Sequence, residues 1–459
     1  EPIAHGPPHQ GQPLPPGLTP ELLDLLQAAA APQQLALVGG AVRDWLLHRV
    51  HHDPWLGVPD LDLVVEAAPP PAGVSASRPQ AAGSALPHQP LSLSAEDRAP
   101  ATAALPAPAE APAQRLVRRL RQRLGPERLP FCQEHGAYGT VELELLLAAG
   151  PVLLDVASAR REQYPQAAEN PQVTYGQLQH DLQRRDFSIN AMALVLSADG
   201  QLLDPHGGLA DLEQRRLRFL HAGSVRDDPT RVLRGARYGA RLGFGLDAAS
   251  LEQLRTTLAA WPWAWRPGDP PGQAPPALGT RLRMELELLL EREPWPQALR
   301  LLQAWGGLLL LDSALQADGR WCQRLRWAQR LGQPLLPALL LGAADPLALA
   351  ERLQVPHRQH RLLVQALRLR QRLAAAAPTD PVGWCSLLEG PGLSPDAVAL
   401  VLAAGAAPRR PLLRWWLRWR HLRAGTTATE LLAAGHRPGP ALGDQLRQLR
   451  AQRLVQERL

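Results

Sequence analysis

Two aspartates two residues apart are the first candidates for chemistry in this chain. Asp60 and Asp62 lie beside an apolar run, residues 61–65, that predicts a β-strand, so both side chains project from one face. Carboxylates paired in this way can hold divalent cations, and Mg²⁺ prefers hard oxygen ligands shared with substrate phosphates. Two such metal ions can activate an attacking hydroxyl and neutralise a leaving pyrophosphate. The same pattern is common on surface strands, so its meaning depends on its surroundings.

A glycine pair lies upstream of these aspartates. Residues 34–38 predict a short strand that runs into Gly39 and Gly40, and residues 41–49 have helical character. Glycines between a strand and a helix let backbone N–H groups approach phosphate oxygens, and the helix N-terminus favours negative charge. Arg43 adds a guanidinium one turn along. Alone, a glycine pair indicates only a turn; together with the aspartates it predicts a nucleoside triphosphate site for a metal-dependent transfer.

Six segments of the chain resemble, in order, the motifs of class II tRNA nucleotidyltransferases and bacterial poly(A) polymerases. They are residues 37–44 with 60–62, 155–162, 184–193, 204–212, 227–238 and 283–286. The resemblance covers residues 37–290 and is weak after about residue 310. Two positions depart from the family pattern: Ser188 stands where Thr is usual, and Asp227 stands where Glu is usual before the base-selecting aspartate.

The resemblance implies template-independent addition of C and/or A nucleotides, from CTP and ATP, to the 3′ end of tRNA. The reaction would be CCA addition or repair by two-metal nucleotidyl transfer with Mg²⁺. The implied fold class is α+β, with an N-terminal mixed α/β nucleotidyltransferase head followed by an all-helical neck, body and tail. The partners would be the acceptor end of tRNA, CTP and ATP, with no membrane and no obligatory protein partner.

The site residues follow from the same resemblance. Asp60 and Asp62 would be catalytic and hold the metal ions, and Asp155 is a candidate third carboxylate or else a structural residue that caps a loop. Arg184, Arg185, Asp186 and Asn190 would contact sugar and triphosphate from a helix, although such a cluster could also be a surface network of ion pairs. The full set of implied nucleotide-binding residues is Gly39, Gly40, Arg43, Arg184, Arg185, Asp186, Asn190, Asp228, Arg231, Arg234 and Arg237.

Asp228 and Arg231 are the pair that can choose the base. Three residues apart on a predicted helix, they can jointly present an acceptor and donors. Cytosine and adenine both offer an exocyclic amine beside a ring-nitrogen acceptor, whereas uracil and guanine offer a carbonyl and an N–H. A wrong base would leave a buried charge unpaired, at a cost of about 1–3 kcal/mol. The alternative is a plain ion pair within the helix.

The elements that must position these residues divide the chain by composition. A helix over 21–30, capped by Thr19, a helix over 114–124 and paired strands over 140–147 and 152–156 are expected. Strand signals vanish beyond Asp211. The predicted domains are a disordered N-terminus (1–20), the head (21–196) with a low-complexity disordered insertion (67–112), a neck with the base-selecting motif (197–260), a Pro/Gly/Trp linker (261–278), and an RNA-binding body and tail (279–459).

The composition of the whole chain sets wider limits. The 459 residues carry a net charge of +6 with a sequence pI near 9.9, and no lysine occurs, so every fixed cation is an arginine. Biased genome composition and phosphate contact both explain this. The three cysteines show no metal-ligand spacing, and no apolar run is long enough to span a membrane, so a soluble cytoplasmic protein is expected. Trp415, Trp416 and Trp419 are expected to fill a helix-packing core rather than to stack on RNA.

Several alternatives stay open at this stage. Residues 164–181 match the family's mobile loop, and their length favours full CCA addition or A addition over C addition alone. An A-adding specialist or a poly(A) polymerase is the next hypothesis. An inactive RNA-binding module and a nucleotidyltransferase acting on small signalling molecules are more remote. The sequence does not decide between adding CCA, CC or only A.

Overall fold

A seven-stranded mixed sheet forms the framework of the N-terminal part. The computed structural model describes residues 15, 17–54, 61–67, 110–135, 139–197 and 200–457. The predictions for Asp60, for residues 1–14 and 16, and for residues 68–109 of the insertion therefore lie outside the described residues. The strands are β1 (Leu35–Val38), β2 (Leu61–Val65), β3 (Phe131–His135), β4 (Thr140–Leu147), β5 (Gly150–Ser158), β6 (Arg160–Gln163), β7 (Gln172–Tyr175), β8 (Ala193–Val195), β9 (Gln201–Leu203), β10 (Arg216–Leu217) and β11 (Gly245–Leu246).

The strand order in this sheet is β3-β4-β5-β2-β1-β8-β9. The β2 and β5 strands run parallel, and every other neighbouring pair is antiparallel. Pairing of β4 with β5 confirms the predicted pair of strands. The separate strands β6 and β7 form a two-stranded pair.

The helices account for most of the remaining chain. Those of the N-terminal part are α1 (Pro20–Ala30), α2 (Gly40–His51), α3 (Pro112–Leu124), α4 (Leu178–Gln183) and α5 (Gly208–Glu213). Those that follow are α6 (Ser224–Asp227), α7 (Thr230–Leu242), α8 (Ala248–Ala260), α9 (Thr280–Arg292), α10 (Trp295–Trp305), α11 (Ser313–Ala317), α12 (Trp321–Arg330), α13 (Leu335–Leu340), α14 (Pro346–Arg352), α15 (His357–Ala375), α16 (Pro381–Leu388), α17 (Pro395–Ala403), α18 (Arg409–Leu417), α19 (Ala428–Ala433) and α20 (Pro440–Val455).

Alternation of side chains explains how the sheet acquires a covered face. In β4 the buried positions are every second residue, as a half-buried strand requires. The central strand β1 is apolar and buried throughout. Helix α3 packs on β2, β4 and β5 through Leu116, Val117 and Leu120, while its arginines lie on its outer side.

The predicted cap of α1 is confirmed, since the Leu22 amide donates to the Thr19 hydroxyl at 3.2 Å.

Residue contacts divide the chain into two compact units. The first comprises residues 1–163 and 173–212, and the second comprises 164–172 and 213–459. The short segment 164–172 is held within the second unit by backbone hydrogen bonds of Ala168: its amide donates to the Asp227 carbonyl, and its carbonyl accepts from the Ala277 amide, both at 3.1 Å. The loop expected from the resemblance therefore has a fixed anchor beside the base-selecting motif.

The second unit is built of packed helices. Helix α7 lies against α9 and α10, and α17 lies against α12 and α15. Trp415 and Trp419 are fully buried, which confirms their assignment to a packing core, and Trp416 is half-buried. The α+β class with a helical C-terminal part is confirmed. The expectation that strands end at Asp211 is wrong in one detail, because β10 and β11 form a two-residue parallel pair.

Two buried tryptophans anchor the Pro/Gly/Trp segment, in which many other residues are exposed. Trp263 is 2% exposed, and its indole N–H donates to the Arg226 carbonyl at 2.9 Å. Trp265 is also buried, and the guanidinium of Arg352 stacks on its ring at 4.8 Å. Among the described residues, the longest apolar stretches fall short of what a helix needs to cross a bilayer.

Candidate active site

The turn between β1 and α2 brings backbone and carboxylate close together. Gly39 has a φ of 70°, a backbone conformation that residues other than glycine rarely adopt. A Cβ atom at this position would lie 3.3 Å from Asp62 Oδ2 and 3.2 Å from Arg185 Nη1. Helix α2 begins directly after this glycine, and no side chain caps its N-terminus. Its first amides can therefore bond an anion placed beside Asp62.

Two of the predicted metal ligands lie side by side. Asp62 on β2 and Asp155 on β5 are paired in parallel register, so their side chains project from the same face of the sheet. Both are partly exposed. Within the described ranges no group of three His, Cys, Asp or Glu side chains is arranged to hold a metal ion, and the remaining predicted ligand, Asp60, lies outside those ranges. Adjacent carboxylate oxygens are nevertheless the donors that a hard divalent cation prefers.

Asp181 organises the two arginines of the second motif. Its Oδ1 accepts from Arg184 Nη2 at 2.7 Å, and its Oδ2 accepts from Arg185 Nη2 at 2.9 Å. Burial raises the pKa of Asp181, but the charges of Arg185 and Arg184 outweigh burial and hold the pKa below its ordinary value near 3.8. The aspartate is thus ionised and fixes both guanidinium planes, while each arginine side chain keeps some solvent exposure.

A second network lies beneath the glycine turn. Asn190 Nδ2 donates to Asp186 Oδ1 at 3.0 Å, and Asn190 Oδ1 accepts from Arg43 Nη1 at 2.8 Å. Arg43 is only 2% exposed and also bonds the Asp44 carboxylate. Arg43 therefore orients Asn190 in this structure, and direct contact of Arg43 with a nucleotide stays a prediction.

The local structure of this motif differs from expectation. Arg184, Arg185, Asp186 and Asn190 were expected on a helix, but α4 ends at Gln183 and a 3-10 turn covers only Ser188–Asn190. The reason is that the Asp186 side chain bonds the Phe187 amide at 2.8 Å, which competes with helical pairing. The predicted proximity of Asp186 and Asn190 is still achieved, through a turn rather than through a helix face.

Asp228, the predicted base-selecting aspartate, lies in the second unit and is buried. Asp228 is 3% exposed; its Oδ1 accepts from the Thr230 amide at 3.1 Å and its Oδ2 accepts from Arg281 Nη2 at 2.5 Å. Burial raises the pKa of Asp228, but Arg281, Arg234 and Arg231 outweigh burial, so the net pKa is lowered and the group is an ionised acceptor.

The prediction that Asp228 and Arg231 share a helix is wrong for Asp228. Its backbone is extended, and α7 begins at Thr230. Pro229 explains this, since a proline disfavours helical geometry in the residue before it. Arg231 lies in the first turn of α7, 2% exposed, and its Nη1 bonds His221 Nε2 at 3.2 Å. Burial and the charge of Arg231 lower the pKa of His221, which keeps the imidazole neutral and able to accept.

Arg234 and Arg237 join α7 to α9. Arg234 Nε donates to Glu285 Oε1 at 2.9 Å, and Arg237 Nη1 donates to Glu285 Oε2 at 2.5 Å. Both arginines therefore take part in an ion-pair network between helices, and their predicted role in nucleotide binding stays a prediction.

Three residues that bond predicted site residues were not found from the sequence: Asp181, His221 and Arg281. Asp181 carries a local signal, because it precedes Arg184 and Arg185 by three and four residues. Arg281 lies 53 residues from Asp228, and no spacing rule links them.

Comparisons with known proteins show what this chain is similar to. A family model described as the Poly A polymerase head domain matches residues 111–218. A CC-adding tRNA nucleotidyltransferase of Deinococcus radiodurans is 36% identical over 354 residues, which cover 75% of this chain and 74% of that protein. An A-adding tRNA nucleotidyltransferase of Aquifex aeolicus is 39% identical over 142 residues, or 30% of this chain and 16% of that protein.

Solved structures show the same fold. A CCA-adding enzyme in an apo form is 20% identical and superposes with a TM-score of 0.63 over 95% of this chain and 92% of that chain. The Thermotoga maritima CCA-adding enzyme complexed with tRNA gives a TM-score of 0.60 at 20% identity, over 96% and 93%. The long Deinococcus alignment shows that the chain belongs to the tRNA nucleotidyltransferase family.

Proposed function

We propose that this protein adds C, A or both, from CTP and ATP, to the 3′ end of tRNA without a nucleic-acid template. The observation that carries the proposal is the parallel register of Asp62 and Asp155 beside the glycine turn at the start of α2. This places acidic oxygens next to free helix amides, as transfer of a nucleotide from a triphosphate requires. A tRNA-extending enzyme works where tRNA and triphosphates are found, so the proposed location is the cytoplasm.

The metal is proposed to be Mg²⁺. Asp62 and Asp155, together with Asp60, would hold it, since carboxylate oxygens shared with substrate phosphates are its usual ligands. When bound, Mg²⁺ neutralises phosphate charge and lowers the pKa of the attacking 3′-hydroxyl.

The chain's own residues supply the binding of the triphosphate. The uncapped N-terminus of α2 would bond phosphate oxygens, and Gly39 allows them to approach the backbone closely. Arg184 and Arg185, held in fixed orientation by Asp181, would add charge-assisted hydrogen bonds. Positioning and electrostatic stabilisation of this kind supply most of the rate in phosphoryl and nucleotidyl transfer.

Base choice is proposed to rest on Asp228 and Arg231. An ionised Asp228 can accept from the exocyclic amine of cytosine or adenine through Oδ2, which has a second lone pair beyond its bond to Arg281, whereas Oδ1 already accepts from both the amide and the hydroxyl of Thr230. Arg231 would donate to the neighbouring ring nitrogen. Uracil and guanine would place a carbonyl against the carboxylate and an N–H against the guanidinium.

Two features favour different nucleotides as the ones that this protein adds. The length of residues 164–181 favours enzymes that add the terminal A. The extended similarity to a protein named as CC-adding favours a second candidate, addition of two C residues only.

The deciding experiment uses three tRNA transcripts, ending before CCA, after C, or after CC. Each is incubated with purified protein and Mg²⁺ plus CTP, ATP or both, and products are read at single-nucleotide resolution. Full CCA on the shortest transcript means that this protein adds all three nucleotides. Addition of two C residues only means a CC-adding enzyme, and addition of A only to the CC-ended transcript means an A-adding enzyme. No extension of any transcript would overturn the proposal and favour a poly(A) polymerase or an inactive RNA-binding module.

A further inference from the structure

A cavity of about 910 Å³ opens among the helices of the second unit, between α12, α15 and the start of α18. Its charged lining consists of four arginines and one carboxylate: Arg320, Arg324, Arg370, Arg409 and Asp318. Most of its other lining residues are small or apolar. A cavity lined by such an excess of guanidinium groups is suited to an anion.

The single carboxylate of the cavity, Asp318, already forms an ion pair with one of the four arginines. Asp318 Oδ2 accepts from Arg324 Nη2 at 2.6 Å, and Arg324 Nε also donates to the Ala338 carbonyl at 2.6 Å. Across the part of the chain that the structure describes, no ion pair is formed by Arg320, Arg370 or Arg409. No carboxylate of the described residues therefore compensates the charge of these three arginines, although Arg370 Nη1 donates to the Leu341 carbonyl at 3.3 Å.

Arg409 has buried hydrogen-bond donors without an acceptor in the described part of the chain. Its Nε and Nη2 atoms are buried and, among the described residues, have no hydrogen-bond acceptor. The guanidinium stacks on the ring of Trp327 at 4.3 Å, which gives it an attractive surface but no oxygen. Buried donors without acceptors are rare, because each has lost its hydrogen bonds to water without gaining a replacement. A planar guanidinium fork matches two oxygens of one phosphate group.

Helix α18 adds to the positive potential. It begins at Arg409, and no side chain caps its N-terminus. The first amides of a helix and its macrodipole both favour a negative group at this end. Two further arginines, Arg320 and Arg370, are exposed at the rim, so an anion with several charges can bond the interior and the rim at once.

We propose that this cavity is a phosphate-binding site, distinct from the nucleotide site, and that a backbone phosphodiester of bound RNA occupies it. The identity of the occupant rests on the proposed function, whereas the phosphate chemistry does not. A polyanion is favoured over free phosphate because several arginines, one with buried donors and two exposed at the rim, line the same cavity. The cavity would then anchor RNA while its 3′ end is extended elsewhere.

The test compares Arg409→Met with Arg330→Met in the full-length protein. Arg330 is a matched control, because it also stacks on Trp327, at 5.6 Å, but does not line the cavity. The Kd for a tRNA transcript is measured across a series of salt concentrations. Arg409→Met is expected to weaken binding by about 5- to 30-fold and to reduce the steepness of log Kd against log salt by roughly 0.7–0.9. Arg330→Met should leave both unchanged.

Thermal unfolding separates a binding role from a structural one. If Arg409 is kept for a ligand, removing an unpartnered buried cation leaves the Tm unchanged or raises it. Arg370→Gln at the exposed rim provides a second variant that does not disturb the core, and it should weaken tRNA binding in the same direction. A lowered Tm for Arg409→Met together with normal tRNA binding by Arg370→Gln would overturn the proposal.

A parallel arm uses inorganic phosphate, at up to about 10 mM against KCl of matched ionic strength, with the Tm as readout. If phosphate raises the Tm of the wild-type protein but not of Arg409→Met, and tRNA affinity is unaffected by the mutation, RNA is overturned as occupant in favour of free phosphate. If neither ligand depends on Arg409, the site itself is overturned. Failure of the wild-type protein to extend any transcript, with tRNA binding still dependent on Arg409, would instead contradict the proposed function alone.

Discussion

Arg281 Nη2 donates to Asp228 Oδ2 at 2.5 Å, and this bond links the first turn of α9 to the short connection between α6 and α7. Arg281 is the largest of the charge interactions that lower the pKa of Asp228 against the effect of burial. It thus holds the carboxylate ionised and fixed in direction before any nucleotide binds. An acceptor that is oriented in advance loses less entropy on binding a base.

The first prediction concerns this bond. Arg281→Gln should lower kcat/KM for both CTP and ATP by roughly 5- to 150-fold, since a charged hydrogen bond to a buried group contributes about 1–3 kcal/mol. Single-nucleotide extension kinetics provide the measurement. Arg292→Gln is the control, because Arg292 is exposed at the last position of the same helix. Equal kcat/KM values for the two variants would show that the bond from Arg281 to Asp228 does not contribute to nucleotide addition.

A second prediction concerns base choice. Arg231→Ala should reduce the preference for CTP and ATP over UTP by about 5- to 150-fold. The variant loses the guanidinium donors, which would otherwise face the N3–H donor of uracil without an acceptor between them. Competition between labelled triphosphates on one transcript measures the ratio. Arg241→Ala, further along α7 and bonded to Glu293, should keep the wild-type ratio. An unchanged preference in Arg231→Ala would show that selection lies elsewhere.

How much of this was predictable depends on sequence separation. Strands β1, β2, β4 and β5 follow from apolar runs and alternation, and the glycine turn between β1 and α2 follows from residue type. Strand β3 was missed because its side chains are mostly exposed, which leaves no hydrophobic pattern to read. Pairings between distant residues were also missed: Arg43 and Asn190 are 147 residues apart, and only the folded sheet brings them together.

The two helix errors share one local feature, which at Asp228 adds to the effect of Pro229. Asp186 and Asp228 both use their side chains to bond backbone amides of the next one or two residues, Phe187 and Thr230. Such local bonds replace helical hydrogen bonds. Spacing of three or four residues therefore predicted nearness correctly, while the backbone that achieves this nearness required the structure.

A third prediction tests the carboxylate pair. Asp62→Asn and Asp155→Asn should each lower kcat by at least about 100-fold, because the acidic oxygens that hold a cation beside the triphosphate are lost. Affinity for tRNA, measured without Mg²⁺, should be unchanged. Glu127→Gln, an exposed carboxylate of the same unit, is the control. Normal turnover in Asp155→Asn would limit the metal site to Asp60 and Asp62.

A fourth prediction uses the glycine pair as an internal comparison. Gly39→Ala should lower kcat/KM and destabilise the first unit by about 1–2 kcal/mol, because the left-handed conformation is strained for alanine and the new Cβ crowds Asp62 and Arg185. Gly40→Ala should have a small effect, since its Cβ would meet Arg43 Nη2 at 3.5 Å, an ordinary contact. Extension kinetics and urea unfolding of both variants provide the test. A larger loss in Gly40→Ala would contradict this assignment.

The last prediction follows from the lowered pKa of Asp181. Because the folded-state pKa lies below the ordinary value near 3.8, the ionised group stabilises the folded protein at pH values above that value. This stabilisation is lost as the pH falls through the lowered folded-state pKa. Asp181→Asn should destabilise the protein by about 1–3 kcal/mol at neutral pH, since two buried charged hydrogen-bond pairs are weakened. The difference from wild type should be constant above about pH 5 and shrink below it.

Urea unfolding at neutral pH and at several acidic pH values measures this difference, with Asp24→Asn on the exposed side of α1 as the control. The same variant should lose about 10- to 100-fold in kcat/KM, because Arg184 and Arg185 are no longer held by a shared carboxylate. A purely structural role would change stability and leave the kinetics of the folded protein intact. A loss of stability that is equal at every pH would instead mean that the ionised form of Asp181 is not what the two arginines bind.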